Sequence, residues 1–94
     1  MFDTDVLEDE EVEVLIDEQT EKEKQIIIYN DDFNTFQHVI ECLMKYCGHL
    51  MMQAEQCAHI IHNNGKCAVK NGAFKKLKPI CEALTENGLD AKIE

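Results

Sequence analysis

The stretch that decides the fold is Gln25-Ile26-Ile27-Ile28-Tyr29-Asn30-Asp31-Asp32, residues 25–32. Its run of β-branched and aromatic side chains from 26 to 29 predicts a strand at the centre of a sheet, because such side chains pack well on a pleated surface. The polar residues 30–32 that follow predict a turn at the end of that strand. Ordered structure should therefore begin at Gln25.

The charge distribution divides the chain at the same place. The 94 residues hold 19 Asp or Glu and 9 Lys or Arg, a net charge of −10. Residues 1–24 have 11 acids and 2 bases (−9), and residues 25–94 have 8 acids and 7 bases (−1). We predict a disordered acidic N-terminal extension over 1–24 and one folded domain over 25–94, because so acidic a segment buries too little to offset its ordering entropy. The alternation Glu11-Val12-Glu13-Val14 leaves a transient edge strand or a short recognition motif as the alternative.

Apolar periodicity downstream predicts three helices and two more strands. The first helix should span 35–47, with Asn34 and Gln37 at the spacing of a capping box. A second helix is expected over 50–63, followed by a weak strand over 66–69 and a turn over 70–72. The third helical stripe runs over 74–84 and contains Pro79, so this helix either kinks there or starts near it. Alternation over 89–93 predicts the last strand.

This order of elements predicts an α+β fold in which a small three-stranded antiparallel sheet packs against three helices. The longest apolar run is far shorter than the roughly 20 residues of a spanning helix, and the acidic start does not resemble a secretion signal. We therefore expect a protein of the cytoplasm that does not bind a membrane. The densest basic run, Lys75-Lys76-Leu77-Lys78, is too small for nucleic-acid binding, which needs clustered cations.

The five cysteines form no C-x-x-C pair, so the sequence predicts reduced, buried thiols rather than disulfides or a zinc knuckle. His38 and Cys42 lie at i, i+4, but zinc requires four ligands. No metal, no cofactor and no catalytic residue are expected, and no cysteine sits in a recognisable nucleophile motif.

The best candidate for chemistry is the turn after the first strand together with His62 near the end of the second helix. Asp32 would offer a carboxylate, Asn30 an amide oxygen and neutral His62 a ring nitrogen, three acceptors for one ammonium group. The alternative interpretation is that Asp32 or Asn34 simply caps the first helix. Apolar residues beside the turn predict either a pocket wall or ordinary core: Phe36, Val39, Ala58 and Ile61.

These residues carry a family resemblance. The stretch Ile28 to Phe36, with Asn-Asp-Asp and an aromatic residue after a strand, precedes His62-Asn63-Asn64-Gly65-Lys66 two helices later. This combination resembles the ClpS family of adaptors for the ATP-dependent Clp protease. The resemblance covers roughly residues 25–94 and implies a ClpS-like sandwich.

The resemblance implies a monomeric receptor that is not an enzyme and acts in the bacterial cytoplasm. It would capture substrate proteins whose first residue is Leu, Phe, Tyr or Trp and pass them to the N-terminal domain of a Clp AAA+ unfoldase. Asn30, Asp32 and His62 match the family residues that hold the α-amino group. The other matches are Asp31, Asn34 and Thr35 at the pocket mouth, and Phe36, Val39, Ala58, Ile61 and Leu89 in the side-chain pocket.

The chain departs from the family pattern in two places. Phe36 and Ala58 occupy positions where many bacterial members carry methionine, so the ranking of first residues stays open. The family's Ala-Glu-Thr-Lys stretch, which faces the unfoldase, appears as Lys76-Leu77-Lys78-Pro79. Lys78 matches its lysine, and the acidic extension resembles the segment that the unfoldase engages during delivery. The alternative function is a non-catalytic interaction domain of similar fold without degron recognition.

Overall fold

The computed structural model describes residues 22–94. The predicted extension and the Glu11–Val14 alternation lie outside these residues, apart from positions 22–24. The elements follow the order β1 (Lys24–Tyr29), α1 (Phe36–Cys47), α2 (Met51–Asn64), β2 (Lys66–Gly72), α3 (Phe74–Glu86) and β3 (Asp90–Ile93). The prediction of three helices and a three-stranded antiparallel sheet is confirmed. No helix among these residues is long and apolar enough to cross a bilayer.

Strand β1 is the central strand, and the sheet order is β2-β1-β3 with both pairings antiparallel. Ile26 and Ile28 are buried in the core that the sheet shares with the helices. Ile27 points to the other face, because successive side chains of a strand alternate, and its partners across the two neighbouring strands are Ala68 and Lys92. The isoleucine run is therefore explained by a strand that is flanked on both edges.

Large aliphatic side chains of β1, α1 and α3 fill the centre of the core. The largest fully buried side chains are Ile26, Ile28, Leu43, Leu77 and Leu84. Each contributes roughly 1.5–3 kcal/mol through removal from water. Their common packing fixes α1 and α3 against the sheet and so fixes where the β1–α1 turn stands.

The predicted end of β2 is wrong. Residues 70–72 form no turn, because Lys70, Asn71 and Gly72 continue the strand and pair with Ile26, Gln25 and Lys24. An irregularity in the pairing between Ile26 and Ile27 accommodates the longer strand. The polar residues remain in the strand because the backbone of β1 supplies their hydrogen-bond partners.

The alternative that α3 starts near Pro79 is also wrong. The helix begins at Phe74 and includes Pro79 as its sixth residue. The missing N–H of proline leaves only the Lys75 carbonyl group without its helical donor. Pro79 is exposed, whereas Leu77 is 1% exposed, so core packing holds the first turns in place while the lost bond faces solvent.

Candidate functional site

A pocket of about 420 Å³ opens between the β1–α1 turn and the second half of α2. It brings together most of the predicted site residues from both segments. Its lining consists of Asn30, Asp31, Asp32, Asn34, Phe36, Val39, Ala58, Ile61 and His62. The structure therefore joins the polar turn and the apolar stripe in one cavity.

A backbone hydrogen bond fixes the turn against α2. The Asn30 amide N–H donates to the Gly65 carbonyl oxygen at 2.8 Å. Gly65 ends α2 with a φ of +91°, and its own N–H donates to the Ile61 carbonyl oxygen. A left-handed residue is needed to turn the chain from α2 into β2, and glycine adopts that conformation without steric cost. Asn30 and His62 both line the pocket, and the bond to Gly65 fixes the turn relative to the end of α2 that carries His62.

Asp31 organises the turn through its side chain. One carboxylate oxygen accepts hydrogen bonds from the Phe33 and Asn34 amide groups, each at 2.9 Å, and the other accepts from Asn34 Nδ2 at 2.8 Å. Asn34 Nδ2 also donates to the Gly88 carbonyl oxygen at 2.8 Å. The turn is therefore tied both to itself and to the connection between α3 and β3.

These contacts change the pKa of the Asp31 carboxyl group. Burial works to raise the pKa of its carboxyl group, but the hydrogen bonds from Asn34 and Phe33 outweigh burial and leave the pKa below its ordinary value. Asp31 thus stays ionised as part of the turn. The neighbouring Asp32 side chain is exposed at the pocket, and its carboxylate is available to a ligand.

The predicted helix cap is wrong. Thr35, not Asn34 or Asp32, caps α1, because Thr35 Oγ1 accepts a hydrogen bond from the His38 amide at 3.0 Å. The Asn34–Gln37 capping box does not form, since the Asn34 side chain is bonded to Asp31 and Gly88. The turn at Asp31 places the helix start one residue later than the motif indicated. Asp32 is left without a capping role.

The apolar side of the pocket is part core and part surface. Ala58 and Ile61 are 3% and 4% exposed and belong to the core, while Phe36 is 40% exposed. Ala58 and Ile61 thus pack in the core and also line the pocket. Val39, which also lines the pocket, is half-buried.

His59 is a residue that the sequence reasoning missed. Its ring packs edge-on against the Phe36 ring, with centroids 4.7 Å apart and an interplanar angle of 61°. Phe36 is thereby held by a residue of the facing helix. The available signal was the position of His59 one residue after Ala58 and three before His62 on the same helix.

Three predicted residues lie outside the pocket lining. Thr35 is exposed at the helix cap. Leu89 is 4% exposed and lines a small adjoining recess of about 20 Å³ together with Val39 and Ile61. Lys78 is exposed on α3.

The His38–Cys42 pair is used structurally. His38 Nε2 lies 2.8 Å from the Asn87 carbonyl oxygen and 3.6 Å from Cys42 Sγ. Because a carbonyl oxygen only accepts, that nitrogen carries the proton and is not a metal ligand. Residues 22–94 contain no group of three or more His, Cys, Asp or Glu side chains placed for a metal ion.

The thiols are suited to the core rather than to nucleophilic chemistry. Burial raises the pKa of the Cys42 and Cys81 thiols and raises the pKa of Cys47 and of Cys67 to about 11. A thiol with so high a pKa remains protonated at neutral pH and is a poor nucleophile.

A family model described as "ATP-dependent Clp protease adaptor protein ClpS" matches residues 19–92. The chain is 38% identical over 66 residues to the Clp protease adapter protein ClpS of Thermosynechococcus vestitus, covering 69% of this chain and 70% of that protein. It is 36% identical over 66 residues to the ClpS of Synechocystis sp., covering 69% and 67%.

Among solved structures, the fold matches that of Agrobacterium tumefaciens ClpS2 bound to L-phenylalaninamide. The TM-score is 0.66, and the match covers 78% of this chain and 95% of that chain at 19% sequence identity. This likeness confirms the predicted sandwich of three helices on a three-stranded sheet.

The lowered pKa of Asp31 predicts a pH-dependent contribution to stability. A carboxyl group with a lower pKa in the folded than in the unfolded chain stabilises above the unfolded value near 3.8, and that stability is lost as the pH falls through the folded pKa. Asp31→Asn should lower the free energy of unfolding by about 1 kcal/mol at pH 7, and the deficit should shrink toward pH 3. Urea unfolding of both chains at pH 7 and pH 3 measures it.

Asp32→Asn is the matched control, because within residues 22–94 its carboxylate makes none of the turn's hydrogen bonds. It should change the free energy of unfolding much less at pH 7. Equal deficits for the two variants would show that the turn does not depend on the Asp31 carboxylate.

Proposed function

This chain belongs to the ClpS family of adaptors for the ATP-dependent Clp protease, and we propose that it binds proteins whose first residue is bulky and apolar. The family consists of adaptors rather than enzymes, so the role of the chain is binding and delivery. In the proposed function the pocket holds the first residue of a substrate protein, and a Clp unfoldase then receives that substrate.

The observation that carries the proposal is the composition of one pocket. Asn30, Asp32 and His62 supply an amide oxygen, a carboxylate and a ring nitrogen on the same cavity as Phe36 and Ile61. An N-terminal residue has the complementary pair of features, an ammonium group with three donors and a side chain on the same carbon. A charged group is bound well only where acceptors replace the water that it loses.

The two aspartates support this assignment because they differ. The Asp31 carboxylate is already bonded by the turn, whereas the Asp32 side chain is exposed at the pocket. We therefore assign the countercharge for the α-ammonium group to Asp32 and the shape of the site to Asp31. Thr35 and Asn34 act through the turn and the start of α1, at the mouth of the pocket.

The side chain of the first residue would lie against Phe36, Val39, Ala58 and Ile61. Leu89 lines the small adjoining recess together with Val39 and Ile61. L-phenylalaninamide, bound by the Agrobacterium tumefaciens protein, combines a free α-amino group with a bulky apolar side chain. Leu, Phe, Tyr and Trp are the first residues that we propose for this chain. Ala58 has the smallest side chain of the pocket lining.

The expected affinity is modest. Burial of one Leu or Phe side chain contributes roughly 1.5–3 kcal/mol, and each hydrogen bond to the ammonium group contributes about as much. Several kcal/mol are lost on association. The side chain and three such hydrogen bonds together give roughly 6–12 kcal/mol before this loss. Binding no tighter than about micromolar is therefore expected, which is weak enough to release the substrate downstream.

Delivery requires contact with the unfoldase. We propose Lys78, exposed on α3, as one residue of the surface that meets the N-terminal domain of a Clp unfoldase.

All five cysteines are free, as expected in a reducing compartment, and this supports our placing of the activity in the bacterial cytoplasm.

The proposal predicts selective binding of free N-termini. Fluorescence anisotropy with labelled peptides that begin with Leu, Phe, Trp, Ile or Ala, each free and acetylated, measures it. Peptides with free bulky first residues should bind at micromolar concentrations, and acetylation should remove binding because it removes the ammonium charge. If none of the peptides binds, the chain is an interaction domain without degron recognition.

Asp32→Ala should weaken binding of the free Leu peptide by roughly tenfold to a hundredfold, the equivalent of a hydrogen bond to a charged group. Glu55→Ala is the matched control, since Glu55 is an exposed acid of α2 outside the pocket lining. It should leave the affinity unchanged. Equal losses in both variants would assign the effect to net charge and not to the site.

His62→Ala should weaken binding of the free Leu peptide by roughly tenfold, because it removes the ring nitrogen that accepts a hydrogen bond from the ammonium group. His62→Gln keeps a side-chain acceptor at the same position, so its affinity should fall less. The same anisotropy measurement compares the two variants. An unchanged affinity of His62→Ala would remove His62 from the site.

A further inference from the structure

The beginning of α3 carries positive charge that has no partner among the described residues. Lys75, Lys76 and Lys78 are all exposed, and the first turn of α3 contains no acidic residue. Within residues 22–94 the one hydrogen bond from a lysine ammonium group is that of Lys70 to the Cys47 carbonyl oxygen. Glu82 follows Lys78 by four residues, in the Lys-before-Glu order that stabilises a helix less.

The exposed lysines of α1, β2 and β3 differ in this respect. Lys66 and Lys92 lie over the Tyr29 ring, at 5.8 and 5.4 Å from its centroid. Lys45 lies 5.3 Å from the centroid of its neighbour's ring, Tyr46. These three ammonium groups therefore already have favourable aromatic contacts.

The negative charge that complements the lysines at the start of α3 is carried by residues 1–21 of the same chain. Residues 1–21 contain ten Asp or Glu and no Lys or Arg, while residues 22–94 contain the other nine acids and all nine lysines. The folded part is therefore neutral, and the whole net charge of −10 belongs to residues 1–21.

The sheet register places Lys24, which follows the acidic segment by three residues, near the start of α3. Lys24 pairs with Gly72, and α3 begins only two residues later, at Phe74. Asp17 precedes Lys24 by seven residues, a reach of up to about 25 Å at the length of an extended chain. Phe74 and Lys78 are separated by about 6 Å along the helix axis, so the acidic residues reach every one of the three lysines.

We propose that residues 1–21 bind in cis to the basic start of α3, at Lys75, Lys76 and Lys78. The covalent connection makes the contact intramolecular, with an effective concentration in about the millimolar range. Exposed Phe74 adds an apolar surface beside the lysines, and the segment offers Val14, Leu15 and Ile16 to it. Because the charges are at the surface, salt screens the contact.

The contact has a consequence that rests on the proposed function. Lys78 is the residue that we assigned to unfoldase docking, so a bound acidic segment covers part of that surface until the unfoldase displaces it. The contact itself is tested on the isolated chain without unfoldase or peptide. Its failure is thus distinguishable from a failure of the proposed function.

Amide spectra from two-dimensional NMR of the full chain test the contact. The test variant replaces all three lysines, Lys75→Gln, Lys76→Gln and Lys78→Gln. The matched control replaces the three lysines with aromatic contacts, Lys45→Gln, Lys66→Gln and Lys92→Gln, and has the same net charge. Spectra are recorded at 10 mM and 1 M NaCl, where the screening length is roughly 30 and 3 Å.

At 10 mM NaCl the test variant should shift amide signals of residues 1–21 toward their positions at 1 M NaCl, and the control should not. In the unaltered chain, the amide signals of residues 74–78 should also shift when the salt is raised from 10 mM to 1 M NaCl, because the contact is then lost. Equal shifts in both variants, or none in either, would overturn the proposal. Shifts that grow with protein concentration would also overturn it, since they indicate binding between two copies.

Discussion

Burial of Ile26 and Ile28 between two flanking strands and the helices is the constraint on which the rest of the structure depends. Because β1 is paired on both edges and packed from the helix side, its end has one fixed position in the fold. The chain must leave there through a turn, and that turn lies beside the end of α2. The bond from the Asn30 amide to the Gly65 carbonyl oxygen then makes the geometry of the pocket a consequence of the sheet.

The adjacent acids illustrate how one motif separates structure from binding. Two neighbouring carboxylates repel each other. The Asp31 carboxylate is stabilised by three hydrogen-bond donors of the turn. The Asp31 side chain thus stabilises the turn. The Asp32 carboxylate lies at the pocket and accepts none of the turn's hydrogen bonds. In the proposed function, the turn fixes the position of the site before the ammonium group binds, which reduces the ordering that binding requires.

The net charge of the chain is also unevenly distributed: residues 22–94 are neutral, and residues 1–21 carry the whole net charge of −10. A folded part without net charge avoids self-repulsion, which would oppose its compact state. The ten acids of residues 1–21 complement three lysines of α3 that have no partner within residues 22–94, and the proposed contact in cis rests on this complementarity.

The sequence by itself determined the class of fold and the family. The isoleucine run, the helical stripes and the Asn-Asp-Asp turn with His62-x-x-Gly65 are local patterns, and each reflects a preference that neighbouring residues express without the rest of the chain. Only the tertiary structure decided that Thr35 caps α1, that β2 continues to Gly72, that α3 passes through Pro79 and that His59 supports Phe36. Each of these depends on a partner distant in sequence, such as Gly88 for Asn34 or the β1 backbone for residues 70–72, and periodicity carries no information about such partners.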